Sequence, residues 1–385
     1  MQKFKSHKVL FTVILSVITV IFLTNCSEQK RHENFHPGEL WLDNNGQHIN
    51  AHGGGILYKD GTYYWFGEHK IEGEAGNRAQ VGVHCYSSID LYNWKDEGIA
   101  LAVDTVDESS EITKGSVIER PKVVYNKKTD KYVMWFHLEL KGQGYRAART
   151  AVAVSDNVTG PFEYLRSYRP NPNTWPVNAT AKDTSVPEGG EDTLADLPGE
   201  EQAVAGYFLR RDYPGGQMAR DMTIFVDDDG TAYSIYASEE NYTLNISELS
   251  DDYTSFTGRW FRIFPGGHNE APAIFKYEDK YYLVTSGCTG WTPNAARSAV
   301  ADEIWGEWKE LGNPCIGEGS ELTFHSQSTY ALPIQGKDNA VILMFDQWRP
   351  KNPIDGRYVW LPVEVDDGRV VLHWKDKWNL DFFDK

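Results

Sequence analysis

The sequence predicts an all-β fold, a five-bladed β-propeller over residues 38–385, and three observations point to it. From Trp41 onward no long stretch carries helical periodicity. An aromatic strand, turn, strand unit recurs five times along the chain, and recurrence at a fixed theme is the mark of a stacked repeat architecture. The 34 Gly, 13 Trp and 21 Tyr suit short strands joined by tight turns.

The first part of each unit is a hairpin. The five are Ile56 to Phe66 around Lys59-Asp60-Gly61, Val123 to Phe136 around Lys128-Thr129-Asp130, Thr223 to Tyr236 around Asp228-Asp229-Gly230, Ala273 to Val284 around Glu278-Asp279-Lys280, and Tyr330 to Phe345 around Gly336-Lys337-Asp338. The second part runs a strand into a Ser-x-Asp-type turn and then an aromatic: Tyr86 to Asp90 with Trp94, Val154 to Asp156 with Phe162, Ile246 to Asp252 with Phe256 and Trp260, and Arg297 to Asp302 with Trp308. The fifth unit is expected to end with Tyr358 to Val363 and Arg369 to Trp374 around Asp366-Asp367-Gly368. A lone hairpin cannot bury both of its faces, so such sheets must stack on one another, and radial stacking leaves only short protected edges. The stretch Pro170 to Pro214, rich in Pro, Gly, Asp and Glu, reads as a surface loop between the second and third units.

The N-terminus carries an export pattern. Lys3, Lys5 and Lys8 precede an apolar run from Val9 to Leu23, broken only by Thr12, Ser16 and Thr19. As a helix it would rise about 22 Å, short of the roughly 30 Å hydrocarbon core. It ends in Leu23-Thr24-Asn25-Cys26, which resembles a bacterial lipobox. The domain reading is therefore residues 1–25 as lipoprotein signal peptide, 26–37 as tether and 38–385 as the catalytic propeller. That places the mature chain on the cell envelope as a monomer, periplasmic or surface-facing at the outer membrane, touching membrane only through a lipid on Cys26.

Net charge is −17, from 38 basic and 55 acidic residues, which excludes a nucleic-acid binder needing a basic face. Cys85, Cys288 and Cys315 have no zinc spacing and read as buried thiols, and no metal site is expected.

Aligning the units on their hairpins puts His52, Glu119, Asp221, Glu270 and Gln327 at the starts of the innermost strands, facing one axis. Three carboxylates in one pocket cannot all stay comfortably ionised, so at least one has a raised pKa and can donate a proton near neutral pH. Carboxyls with divided roles are what glycoside hydrolysis requires. His52-Gly53-Gly54-Gly55 looks like an esterase oxyanion loop, but no Gly-x-Ser-x-Gly elbow follows. Glu68-His69 lacks the second His of a metal motif, and Asp227-Asp228-Asp229-Gly230 reads as a hairpin turn. Trp291, Trp348 and Trp65 are candidates for sugar stacking, with packing between blades the competing use for Trp65.

Several motifs together resemble glycoside hydrolase family 43 across essentially the whole mature chain. They are Asn50-Ala51-His52-Gly53-Gly54-Gly55, Gly61-Thr62-Tyr63-Tyr64-Trp65-Phe66-Gly67-Glu68, Cys85-Tyr86-Ser87-Ser88 with Asp90-Leu91 and Trp94, Glu119-Arg120-Pro121-Lys122, Arg220-Asp221-Met222 and Glu270-Ala271-Pro272-Ala273. The similarity is greater to the branch containing exo-β-1,3-galactanases than to the xylosidases. It implies five blades, Glu270 as general acid and Asp221 as the residue that tunes its pKa. Where most of the family starts blade one with an Asp base, this chain has Ala51-His52-Gly53. The branch shares that loss, and the resemblance implies Gln327 as an unusual base in its imidic form. Neutral amides are poor bases, so the chemistry of the residues equally allows Gln327 to position water that Glu119 or Glu68 polarises. By neighbourhood, His52, Glu68, Tyr145, Asn241, Thr289 and Trp291 are the expected substrate contacts.

The function so implied is an exo-acting inverting hydrolase releasing galactose from β-1,3-galactan of the arabinogalactan type. Its partner is an oligo- or polysaccharide, with no cofactor required for the chemistry and a structural Ca²⁺ left open. Other family specificities (α-L-arabinofuranosidase, β-galactofuranosidase, β-xylosidase) and a non-catalytic glycan-binding lipoprotein are the alternatives.

Overall fold

The five expected hairpins form where their alternation of aromatic and β-branched residues puts them, in a computed structural model that describes residues 31–384. Cys26 and the export signal lie outside the described residues. The first sheet comprises β1 (His52–Lys59), β2 (Thr62–His69), β3 (Gly82–Ser88) and β4 (Lys95–Ala102). The second holds β5 (Val117–Asn126), β6 (Lys131–Glu139), β7 (Arg149–Ser155) and β8 (Glu163–Tyr168). The third has β9 (Met222–Val226), β10 (Ala232–Ser238), β11 (Thr243–Leu249) and β12 (Phe256–Ile263). The fourth has β13 (Asn269–Tyr277), β14 (Lys280–Gly287), β15 (Arg297–Ala301) and β16 (Lys309–Gly312). All four are antiparallel meanders.

The remainder of the chain departs from the expected count. After β17 (Cys315–Ile316) come β18 (Gln327–Pro333), β19 (Val341–Gln347), β20 (Arg357–Pro362), β21 (Glu364–Asp366) and β22 (Arg369–His373). β18, β19 and β20 make a three-stranded sheet, and β17, β22 and β21 make another, so six sheets are present rather than five. β20 stops at Pro362, which has no N–H to offer a further ladder. The β21–β22 hairpin then pairs β22 with β17, in parallel. The fold is an all-β propeller, and β1, β5, β9, β13 and β18 touch in that order around a ring that β18 closes on β1.

Inter-sheet cores follow the same circuit. Phe66 and Cys85 of the first sheet pack on Met134 and Phe136 of the second. Trp135 meets Met222 and Ile224 of the third, and Ile235 and Leu244 meet Ile274 and Leu283 of the fourth. Phe275 and Val284 pack on Leu343 and Phe345, with Cys315, Val370 and Leu372 of the small sheet joining the same core. The last core is an aromatic cluster in which Trp65 lies 4.8 Å from Trp360 and 5.3 Å from Trp94. Trp65 is therefore packing, not a sugar platform.

Two expectations about loops are corrected. The insertion between β8 and β9 carries four short helices, α1 (Ala181–Thr184), α2 (Asp192–Ala195), α3 (Gly199–Val204) and α4 (Tyr207–Asp212). It is docked rather than loose: Phe208 and Leu209 are buried, and Arg262 of β12 bonds Glu239 at 2.6 Å and Asp183 at 3.2 Å. The segment expected as a tether is also part of the fold from its middle. Phe35 is 1% exposed, its N–H donates to the Trp378 carbonyl at 2.8 Å, and its ring stacks 4.5 Å from Trp378. Among the described residues no helix is long and apolar enough to cross a membrane.

Removing a buried Phe from a packed core costs about 3–5 kcal/mol. Phe35→Ala should therefore lower stability by about that amount in urea unfolding, where a free tether would leave it unchanged.

Candidate active site

The site lies at the ring end where the inner strands begin, and a repeated backbone device aims its side chains. In β1, β5 and β13 the ladder slips within the first few residues, between His52 and Gly55, Glu119 and Lys122, and Glu270 and Ala273. The residue inside each slip has left-handed φ: Gly53 at 61°, Arg120 at 57° and Ala271 at 53°. Such bulges re-aim a strand's side chains, and a non-glycine residue there carries strain on the order of 1 kcal/mol. Pro121 and Pro272 follow two of them, which the broken ladder accommodates because no N–H is needed there. At Gly53 glycine is required by space as well, since a Cβ would sit 2.3 Å from Glu68 Oε1.

Arg120 is the hub. Its guanidinium is buried, with Nη2 donating to Asp221 Oδ2 at 2.8 Å and to Gln327 Oε1 at 2.7 Å, and Nη1 donating to the Ser328 carbonyl at 2.8 Å. Its backbone N–H donates to Glu68 Oε1 at 3.1 Å, and its plane lies 5.3 Å from the Trp348 ring. One side chain from β5 thus ties Asp221, at the start of the third inner strand, to Gln327 and Ser328 on the fifth. Gln327 Oε1 also accepts from Trp348 Nε1 at 2.8 Å, while Nε2 donates to Ser286 Oγ at 2.9 Å. Arg and Trp are donor-only, so this oxygen is the amide carbonyl, and an imidic tautomer would place its O–H among groups that cannot accept it.

Glu119 sits at the end of a buried chain. Tyr145 donates to its Oε1 at 2.6 Å, and His137 bridges its Oε2 at 3.1 Å to Glu139 at 3.0 Å. Burial disfavours the charge of Glu119, but the hydrogen bond from His137 and its charge, with Lys70 and Tyr145, outweigh that and hold the carboxyl down at about 2. Burial likewise opposes a charged His137, yet its two carboxylate partners lift it to about 9. Glu270 behaves oppositely: burial first, then the Asp221 charge, push it up to about 7. Asn241 Nδ2 and the Cys288 thiol both donate to Glu270 Oε1, at 2.7 and 2.9 Å. Glu68 is raised by burial, against the pull of Lys70 2.5 Å away.

Of the residues singled out in the sequence, Glu270, Asp221, Gln327, Glu119, Glu68, Tyr145, Asn241 and Trp291 line one pocket of about 240 Å³. His52 and Thr289 do not. The bulge at Gly53 turns His52 into the wall between the first and fifth sheets, where it is fully buried and stacks 5.2 Å from Tyr358, so it cannot touch a substrate. Thr289 donates to the Thr292 carbonyl and shapes the loop that presents Trp291. Trp348 joins Trp291 at the mouth, the two rings edge to face at 5.9 Å. Arg120, Arg220, Lys70, His137 and Cys288 were not anticipated as parts of the site. The motif Glu119-Arg120-Pro121 held a signal for Arg120, since a carboxylate cluster needs a cation. Cys288, half-exposed at the pocket, corrects the reading of three buried thiols.

Among the described residues Glu119, His137 and Asp221 form the one group whose ligand atoms all fall within 4.8 Å of one another. They do not suit Ca²⁺: both nitrogens of His137 are engaged by carboxylates, and Arg120 occupies Asp221.

Comparison with known proteins matches this architecture. A family model described as glycosyl hydrolases family 43 matches residues 202–328. A solved family 43 β-1,3-galactosidase with galactodeoxynojirimycin is 55% identical, the match covering 90% of this chain and 100% of that one, with a TM-score of 0.86. The chain belongs to glycoside hydrolase family 43. An exo-β-1,3-galactanase from Phanerochaete chrysosporium, solved with β-1,3-galactotriose, is 30% identical over 90% of this family 43 chain and 68% of its own, with a TM-score of 0.72. An exo-β-1,3-galactanase from Clostridium thermocellum is 34% identical over 89% and 66%, with a TM-score of 0.72. No curated protein matches the sequence. As a family 43 member the protein is a glycoside hydrolase, whose chemistry needs acid, base and water but no cofactor.

Replacing Arg120 by Met keeps bulk but leaves Asp221 without its cation. Breaking a buried pair in this way costs roughly 3–5 kcal/mol. Urea unfolding of Arg120→Met should show a loss of that order, and a loss within experimental error would remove Arg120 from its central place.

Proposed function

We propose that this family 43 enzyme is an exo-acting, inverting β-1,3-galactosidase that releases galactose from the ends of β-1,3-galactan chains of the arabinogalactan type. The observation that carries this reading is the 55% identity to a β-1,3-galactosidase across the whole of that chain. The pocket at the ring end, with two tryptophans among its lining residues, supports an enzyme that admits a chain end.

Glu270 is the general acid. With its pKa lifted to about 7 it still carries a proton at neutral pH and can give it to the leaving oxygen. Asp221, held by Arg120, supplies the negative charge that keeps Glu270 protonated. Glu119, ionised throughout the working range, and the oxygen of Tyr145, whose hydrogen is given to Glu119, accept from sugar hydroxyls. Gln327, held as an amide, positions the attacking water through the second hydrogen of Nε2. Glu119 is too weak a base to take the water's proton, so that task falls to Glu68, whose basicity burial has raised. A single displacement then inverts the anomeric centre. Attachment to the envelope through a lipid on Cys26 completes the proposal. Cys26→Ala should release the protein from the membrane fraction, and unchanged partitioning would refute the anchor.

A panel of galactans and aryl glycosides tests the specificity, and proton NMR of the first product tests the stereochemistry: a β-1,3-galactoside should give α-galactose, and a first-formed β anomer would refute inversion. The acid must be protonated, so kcat/KM should be retained below and lost above a limb near pH 7. Glu270→Gln should cost about 10²- to 10⁴-fold on unactivated galactobiose and far less on an aryl galactoside.

Gln327→Ala should lower kcat strongly with little change in KM, because its interaction tightens in the transition state. Glu68→Gln should match it. A Glu68→Gln enzyme with normal turnover beside an inactive Gln327→Ala would return the base role to Gln327.

A further inference from the structure

The hydrogen bonds around Glu270 are lopsided. Oε1 accepts from Asn241 Nδ2 at 2.7 Å and from the Cys288 thiol at 2.9 Å, while no hydrogen bond from a described residue reaches Oε2. Asn241 Nδ2 also donates to the sulfur, at 3.5 Å, closing a triangle of amide, thiol and carboxylate. Cys288 is held in place where the chain leaves β14: Asn294 clamps Gly287 by accepting its N–H at 2.8 Å and donating to its carbonyl at 3.0 Å.

A carboxylate oxygen has two in-plane lone pairs, and two donors fill them. A proton added to Oε1 would have to displace one donor and would find only the weakly accepting Cys288 sulfur. We propose that Cys288 is a positioning residue for Glu270, which together with Asn241 saturates Oε1 and confines the transferable proton to Oε2. The inference rests on the reading of Glu270 as the general acid. The thiol is fit for this task because burial, and then the charge of Glu270, push its pKa up to about 12, so it stays a donor through the neutral range. An S–H donor is weak toward neutral groups and stronger toward an ionised one.

The sign of its effect follows. Asp221 and Glu119 raise the pKa of Glu270, Arg120 lowers it, and the Cys288 hydrogen bond lowers it too by favouring the carboxylate. The Arg220–Glu240 pair lies beyond Asn241 on the rim and completes the charged surroundings. Loss of the thiol should therefore move the alkaline limb of kcat/KM to higher pH while kcat falls, because the proton is then shared between two oxygens and only one faces the leaving group.

The test compares Cys288→Ala, the near-isosteric Cys288→Val and the donor-retaining Cys288→Ser on β-1,3-galactobiose and on an aryl galactoside with a good leaving group. For Ala and Val the limb should rise by about half a pH unit, and kcat on galactobiose should fall about 3- to 10-fold, with KM and aryl galactoside turnover within about twofold of the parent. Ser should stay within about twofold throughout. Carboxyl carbon-13 NMR of Glu270 should show the same upward shift in Val without any turnover, which keeps the test valid if Ala fails to fold. An unmoved limb and parental rate in Ala and Val, or a Ser enzyme as impaired as Ala, would overturn the proposal. A Glu270→Gln enzyme at parental rate would instead refute the acid reading beneath it, whereas an inactive Glu270→Gln beside silent Cys288 variants refutes this inference alone.

Discussion

The guanidinium of Arg120 is the interaction on which the site depends. It is buried at the centre of the ring, and removing a charge from water costs several kcal/mol unless partners replace the solvent. Asp221, Gln327, the Ser328 carbonyl and the Trp348 face do so, and they come from three separate segments of the chain. Because a planar fork satisfies several acceptors at fixed angles, the positions of these groups are set relative to one another.

Around that cation the buried charges are sorted by environment. Glu119 has a protonated histidine and a tyrosine on it and stays ionised, whereas Glu270 faces an amide, a thiol and the charge of Asp221 and holds its proton up to about pH 7. Two carboxyls on inner strands flanking β9 are pushed apart in pKa by their partners, so one pocket holds carboxyls in different protonation states at the same pH. The Glu139–His137 pair is buried, yet it decides which of those states Glu119 occupies.

The hairpins were legible because each needs only local signals: period-two aromatics and an Asp/Gly turn between them. The same alignment correctly brought Glu119, Asp221, Glu270 and Gln327 together. It failed at His52, because the bulge at Gly53 rotates that residue out of the channel and a register slip leaves no trace in a hydrophobic pattern. Arg120 and Ala271 adopt left-handed backbone without being glycine, so the bulges that aim Glu119 and Glu270 were unreadable as well. Cys288 and His137 act through contacts set by tertiary packing, and nothing in their neighbours along the chain announces it. The division of the last strands into two sheets depends on β22 finding β17, a pairing between segments that only the folded ring brings together.

The contact of Phe35 with Trp378 gives the ring a latch made from the two ends of the described chain. The latch joins segments far apart in the sequence, so the circuit of sheets closes only once both have folded. Long closure costs grow only logarithmically with length, so the penalty falls on the rate of folding more than on the final stability. A ring that closes through so distant a contact locks late, and the docking of Phe35 on Trp378 then governs how fast the circuit forms.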